Sequence, residues 1–191
     1  LAAGMMAGLF LTSSDALAAC NGFLSITCTG NTTTTSGNRG KFVPITIGSG
    51  ANVTGYGLGT TAIIGGATVT NNGTVNSTIS GVNALDISGS SATYRGGGSV
   101  SGANNGIVLN GLSNTVNSTG GTVSGNAGDG IRATGILGAP AVSNVITLTN
   151  TNVIGANHGV NLNGATNSIA VTGGSISATT GNGINASSSL G

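Results

Sequence analysis

The sequence contains very little charge. It has no glutamate and no tryptophan, and only seven of its 191 residues are ionic: Asp15, Arg39, Lys41, Asp86, Arg95, Asp129 and Arg132. Helical proteins depend on Glu, Lys, Gln, Arg and Leu, whose straight side chains lose little entropy in a helix, so this composition excludes a helical fold. A net charge of +1 gives no electrostatic basis for binding nucleic acid, and no nucleic-acid partner is expected.

The residues that are abundant favour strands and turns. Glycine occupies 37 positions, and much of the remainder is Val, Ile, Thr, Asn, Ser and Ala. β-Branched residues suit strands, whereas Gly and Asn suit tight turns. Because 38% of the residues are hydrophobic, the chain can bury a core, unlike a disordered segment.

The first eighteen residues have the pattern of a secretory signal whose basic beginning is missing. Leu1 to Leu11 is an apolar run too short to span a bilayer. A polar stretch and the small-x-small pattern Ala16-Leu17-Ala18 follow. This order predicts cleavage between Ala18 and Ala19, and hence export through the Sec pathway to the cell surface, the outer membrane or the medium.

Two cysteines follow the predicted cleavage site. Export places Cys20 and Cys28 in an oxidising compartment, where a short-loop disulfide is the expected state. The sequence Leu17-Ala18-Ala19-Cys20 also resembles a lipobox, which leaves open a lipidated surface protein anchored through Cys20.

An internal repeat dominates the rest of the chain. Residues 100–111 and 153–164 match at eight of twelve positions, and looser copies begin at Ile79, Val123 and Ile176. Alternating residues within the copies form two aliphatic columns: Leu85, Ile107, Ile131, Val160 and Ile184, then Ile87, Leu109, Ala133, Leu162 and Ala186. Between them is a mostly polar column: Asp86, Val108, Arg132, Asn161 and Asn185. No unit closes a core alone, so the pattern predicts an all-β fold, a right-handed parallel β-helix with rungs of about 22 residues.

One rung carries six extra residues. The interval from Val123 to Val153 is longer than the others, and the additional segment contains Ile136, Leu137, Pro140 and Val142. A stacked strand cannot absorb such an insertion without losing register, so we expect it to protrude at a corner. Because it is apolar, it is either a cover for the outer sheet face or a candidate contact loop.

No catalytic, cofactor-binding or metal-binding residue is predicted. His158 is the only histidine and occupies the position of Asn105 in the sister repeat, as expected of a turn residue. Asp86 and Asp129 fall in different columns, whereas glycoside hydrolysis normally needs two facing carboxylates. Binding to ice or crystals is disfavoured as well, because no outward threonine column is apparent in the sequence.

The order of these features resembles the start of an autotransporter passenger. The resemblance rests on the signal ending Ala-Leu-Ala-Ala-Cys, on Cys28-Thr29-Gly30, and on the Gly/Asn/Ser/Thr-rich repeats. It implies a β-helical passenger carried to the cell surface by a C-terminal β-barrel that this sequence does not include. The expected organisation is a truncated signal peptide over 1–18, a capping segment with the cysteine pair over 19–47, and solenoid repeats over 48–191, incomplete at the C-terminus.

We therefore expect a surface-exposed or secreted structural and adhesive segment, not an enzyme, and no cofactor. The expected partners are host or neighbouring-cell surface molecules, or further copies of the chain. The outer membrane would be contacted only through the absent barrel. The alternative from another class is a β-helical polysaccharide lyase or hydrolase whose active residues lie outside this sequence.

Overall fold

The computed structural model describes residues 19–21, 25–34, 38–41, 44–136 and 140–188, and within them every regular element is a β-strand. The strands are β1 (Ala19–Asn21), β2 (Ile26–Thr29), β3 (Asn31–Thr34), β4 (Asn38–Lys41), β5 (Ile45–Ile47), β6 (Asn52–Gly55), β7 (Leu58–Asn71), β8 (Thr74–Ser77), β9 (Leu85–Gly96), β10 (Ser99–Gly102), β11 (Ile107–Thr119), β12 (Thr122–Gly125), β13 (Ile131–Thr134), β14 (Ala141–Gly155), β15 (Val160–Ala178) and β16 (Ile184–Ser187).

These strands form a parallel β-solenoid of about six turns, with equivalent residues about 23 positions apart. Each turn contributes a strand segment to each of three faces. The first face contains the inward column Ile26, Ile45, Val69, Tyr94, Val116, Ile146 and Ile169. The second face contains Thr32, Val53, Val75, Val100, Val123, Val153 and Ile176. The third face contains Leu58, Leu85, Ile107, Ile131, Val160 and Ile184.

The predicted aliphatic columns are confirmed on the third face. Leu109 pairs with Ile87 of the preceding rung and Ala133 of the next, and all three side chains are fully buried. Leu162 continues the column beyond Ala133 and is also fully buried. Burying such a side chain stabilises the fold by roughly 1.5–3 kcal/mol, so stacking is the main source of stability.

The register corrects the start of one repeat. Val75, and not Ile79, pairs with Val100. Ile79 lies in a turn, where its carbonyl accepts a hydrogen bond from the Val82 amide, and its side chain is 37% exposed. The corner that follows Ser77 is longer than the corresponding corner in the next rung, which shifted the apparent start of the repeat.

The six extra residues fall between two strands that keep their register. Thr134 ends β13 and Ala141 begins β14, and both residues pair in register with neighbouring rungs. The insertion therefore displaces neither strand. Residues 137–139 lie outside the described residues, so the protrusion of this segment stays a prediction.

The candidate contact loop is shorter than predicted. Ile136 and Pro140 are half-buried, and Leu137 lies outside the described residues. Val142 is in β14 rather than in the loop, and its side chain is 63% exposed on the strand surface.

An asparagine ladder runs inside the corner next to this insertion. Asn114 Nδ2 donates to Asn144 Oδ1 over 2.8 Å, and Asn144 Nδ2 donates to Asn167 Oδ1 over 2.7 Å. Among the described residues Asn114 Oδ1 has no hydrogen-bond partner, and the preceding rung places Ala92 at the equivalent position. Buried amides that bond to their own copies keep the corner in register at little desolvation cost.

The N-terminal end is covered by β1, and its pairing with β2 is the only antiparallel pairing within the described chain. Cys20 and Cys28 lie opposite each other in β1 and β2 and form the predicted disulfide. Parallel stacking already begins at β2, which pairs with β5, so the first rung lies within the segment that the sequence assigned to the cap.

The expectation that threonine forms no outward column is wrong. Thr27, Thr46 and Thr70 stack in three consecutive rungs of the first face. These residues alternate with the inward aliphatic column of the same face, so their side chains point outward. The intervals between equivalent residues vary in this part of the chain, so the three threonines do not align at a constant spacing in the sequence.

If burial between rungs stabilises the fold, two substitutions in β11 should lower the free energy of unfolding by very different amounts. Leu109→Asp places an unpaired carboxylate in the core and should destabilise the protein by more than roughly 3 kcal/mol. Leu112 is 45% exposed, so Leu112→Asp in the same strand should change stability by less than about 0.5 kcal/mol. Urea unfolding followed by circular dichroism measures both. Similar losses for the two variants would refute the assignment of faces.

A second prediction concerns the buried Tyr94. Burial raises the pKa of its phenol to about 12, although the hydrogen bond from Asn71 lowers it. Because the pKa in the folded state exceeds the ordinary value of 10, Tyr94 stabilises the fold below pH 10, and this contribution disappears as the pH rises through 12. Between pH 8 and pH 11 the wild type should lose about 1–2 kcal/mol more than Tyr94→Phe.

Urea unfolding at the two pH values measures this difference. Equal pH dependence in the wild type and Tyr94→Phe would show that the buried phenol does not couple folding to pH.

Candidate functional site

An open groove of about 370 Å³ crosses three successive rungs at the corner between the second and third faces. Its lining residues are all polar or glycine: Asp129, Arg132, Asn157, His158, Asn161, Thr180 and Gly181. Two of the seven charged residues of the sequence and its only histidine meet here. Because these ionisable side chains meet in one groove, we take it as the candidate functional site.

A ladder of side-chain acceptors runs along this corner, and two of its members, Asp129 and His158, line the groove. Each rung places one residue at this corner, and its backbone amide donates to the side chain of the preceding rung. Asn105 N donates to Asn83 Oδ1 (3.1 Å), Asp129 N to Asn105 Oδ1 (2.6 Å), His158 N to Asp129 Oδ1 (3.1 Å) and Asn182 N to His158 Nδ1 (3.1 Å). We call this series the acceptor ladder; it satisfies corner amides that the sheets leave unpaired.

His158 acts in this ladder as an acceptor. Since Nδ1 accepts the hydrogen bond from the Asn182 amide, the neutral imidazole carries its proton on Nε2. A Cβ at position 181 would lie only 2.7 Å from His158 Nδ1, so Gly181 leaves room for the ring. The prediction that His158 takes the place of Asn105 is confirmed, since both are members of the acceptor ladder.

Asp129 is held in place by two donors. Oδ1 accepts the His158 amide, and Oδ2 accepts Asn161 Nδ2 over 2.8 Å. The side chain is only 4% exposed, so these bonds replace most of its hydration. Asp129 therefore anchors the wall of the groove more than it presents a free negative charge.

The polar outward column predicted on the third face is confirmed by the strand register. Val108 separates Asp86 from Arg132, so the two charged residues lie two rungs apart. Asn161 follows Arg132 in the next rung, and its Oδ1 accepts a hydrogen bond from Asn185 Nδ2 over 3.1 Å. Asp86 is outside the groove and accepts a hydrogen bond from Asn83 instead.

The sequence did not lead us to place Asp129 and His158 in one site, although they are neighbours in the acceptor ladder and both line the groove. The signal was present, because each of these residues directly precedes the Gly-Ile or Gly-Val pair that opens a third-face strand. The unequal intervals between units concealed this alignment. The candidate signal-cleavage residue Ala18 lies outside the described residues, and Ala19 begins β1.

The chemistry available in the groove suits binding better than hydrolysis. The groove contains one carboxylate, and both of its oxygens are already hydrogen-bonded, whereas glycoside hydrolysis normally uses two carboxylates facing the bond. Among the described residues no group of three or more His, Cys, Asp or Glu side chains could hold a metal ion. The described chain also contains no helix long and apolar enough to cross a membrane.

A second groove, of about 470 Å³, lies at the corner between the first and second faces. It is lined mainly by Gly, Asn, Ser and Thr and contains no charged side chain. A Cβ at Gly73 would lie 2.6 Å from the Gly48 carbonyl oxygen, so close packing of the rungs requires glycine here. We interpret this groove as a consequence of corner packing.

The fold and the groove define the chain as a parallel β-solenoid protein with a charged polar groove at one of its corners. No family model, no curated protein and no solved structure matches the chain.

Proposed function

We propose that the chain is a surface-exposed or secreted passenger segment of an autotransporter-like protein, with a structural and adhesive role. The observation that carries the proposal is the uninterrupted stacking of similar rungs, which generates long faces with the same chemistry at each step. A stack of this kind acts as a spacer and presents many equivalent weak contacts.

The outward side chains of the second face support an adhesive role. One column is Asn31, Asn52, Thr74, Ser99, Thr122, Asn152 and Ser175, and the other is Thr33, Thr54, Asn76, Ser101, Ser124, Ile154 and Ser177. Every member except Ile154 is an uncharged hydroxyl or amide residue. Repeated hydroxyl and amide groups form hydrogen bonds with polar surfaces, and their number supplies the affinity that one contact lacks.

The disulfide supports an exported location. A bond between Cys20 and Cys28 is favoured in oxidising compartments and rare in the reducing cytosol. In this arrangement the Cys20 sulfur is already bonded, so the lipidated alternative would require a reduced Cys20. We therefore favour the disulfide-capped passenger over the lipoprotein.

Surface location and adhesion are tested together. Antibodies raised against the purified chain should label intact cells that produce the full-length protein. Beads coated with the chain should attach to such cells under flow, and attachment should rise more steeply than coating density because many weak contacts act together. Beads coated with the Leu109→Asp variant provide a control with a disrupted core. Labelling only after permeabilisation, or equal attachment by control beads, would contradict the proposal.

A further inference from the structure

The polar groove has donor groups that the fold does not use. Within the described chain, Arg132 is exposed and forms no ion pair or hydrogen bond. His158 has its Nε2 proton available, because only Nδ1 is engaged in the acceptor ladder. The exposed Asn157 side chain likewise has no hydrogen-bond partner in this part of the chain.

The acceptors of the groove are, by contrast, largely occupied. Asp129 is buried, with one donor on each oxygen, and Asn161 Oδ1 accepts from Asn185. A ligand entering the groove therefore meets a free guanidinium and neutral donors, together with the amide oxygen of Asn157 as a free acceptor. A guanidinium pairs best with a planar carboxylate, to which it donates two parallel hydrogen bonds.

We propose that this groove binds the carboxylate of an acidic sugar, a uronate residue within a glycan. Arg132 pairs with the carboxylate, while His158 Nε2–H and the Asn157 amide bond to the sugar hydroxyls. All lining residues are polar or glycine, which matches a hydroxyl-rich ligand and not an apolar one. The volume of about 370 Å³ is in the lower part of the range of small-ligand sites, and the groove is open to solvent and spans three rungs, as a chain-like ligand requires.

This inference rests on the proposed adhesive function, for which it names a ligand class. The purified chain is titrated with trigalacturonate and, in parallel, with its methyl ester, while amide shifts are followed by NMR. Trigalacturonate should bind with an affinity that falls as salt is added, and the largest shifts should occur at Asn157, His158 and Gly181. The uncharged ester should bind at least roughly ten-fold more weakly, because it loses the charge-assisted pair.

Two arginine variants distinguish binding in the groove from non-specific attraction of the ligand to positive charge. Arg132→Gln should weaken trigalacturonate binding roughly ten-fold or more. Arg95 is also exposed, but it lies on the first face, so Arg95→Gln should bind like the wild type. Equal binding by Arg132→Gln and the wild type, equal binding of acid and ester, or no binding of trigalacturonate would each overturn the proposal.

A histidine variant tests the second contact without breaking the ladder. His158→Asn copies the sister residue Asn105, whose Oδ1 accepts the next rung's amide, so the melting temperature should stay unchanged. Affinity for trigalacturonate should fall several-fold because the Nε2 donor is lost. Unchanged affinity would remove His158 from the site. Because these titrations use purified chain, bead attachment can fail while they succeed, which distinguishes this inference from the adhesive function.

Discussion

Burial between stacked rungs is the constraint on which the rest of this structure depends. A single turn has too few aliphatic residues to enclose a core, so each column is shielded only where a rung lies on either side. The third face shows this directly: Val160 is fully buried between Ile131 and Ile184, whereas Ile184, which pairs with one rung only within the described residues, is 46% exposed. Packing therefore fixes the register between rungs, since a slip of one residue would turn the aliphatic columns outward.

Polar residues follow the same constraint. Where a corner places an amide or carboxylate inside the stack, the equivalent residue of the next rung supplies its partner, as in the asparagine ladder of Asn114, Asn144 and Asn167. At the neighbouring corner Asp129 and His158 occupy positions that are otherwise filled by asparagine. Each of them still accepts one hydrogen bond from the backbone amide of the next rung. The candidate binding groove is thus a variation within a structural ladder, and it alters the chemistry of one corner without altering the fold.

Much of this architecture could be predicted, because stacked rungs require aliphatic residues at alternating positions that recur from one rung to the next. Alternation and the similar repeats predict one buried column that contains Leu109 and Leu162, and both side chains are fully buried in it. The repeat starting at Val75 was misplaced because corner length is free to vary while strand register is not. The same variation hid the groove, although Asp129 and His158 each stand directly before the Gly-Ile or Gly-Val pair that opens a third-face strand.

The central claim is parallel stacking in constant register, and nitroxide distances along one outward column measure it most directly. The described cysteines are both in the disulfide, so spin labels attach to cysteines introduced at Thr54, Ile154 and Ser177. The register places Ile154 four rungs and Ser177 five rungs from Thr54. With about 4.8 Å per rung, the Thr54–Ile154 and Thr54–Ser177 distances should be near roughly 19 and 24 Å, each broadened by the label arms. Distances that fail to increase with rung number would contradict the stacked solenoid.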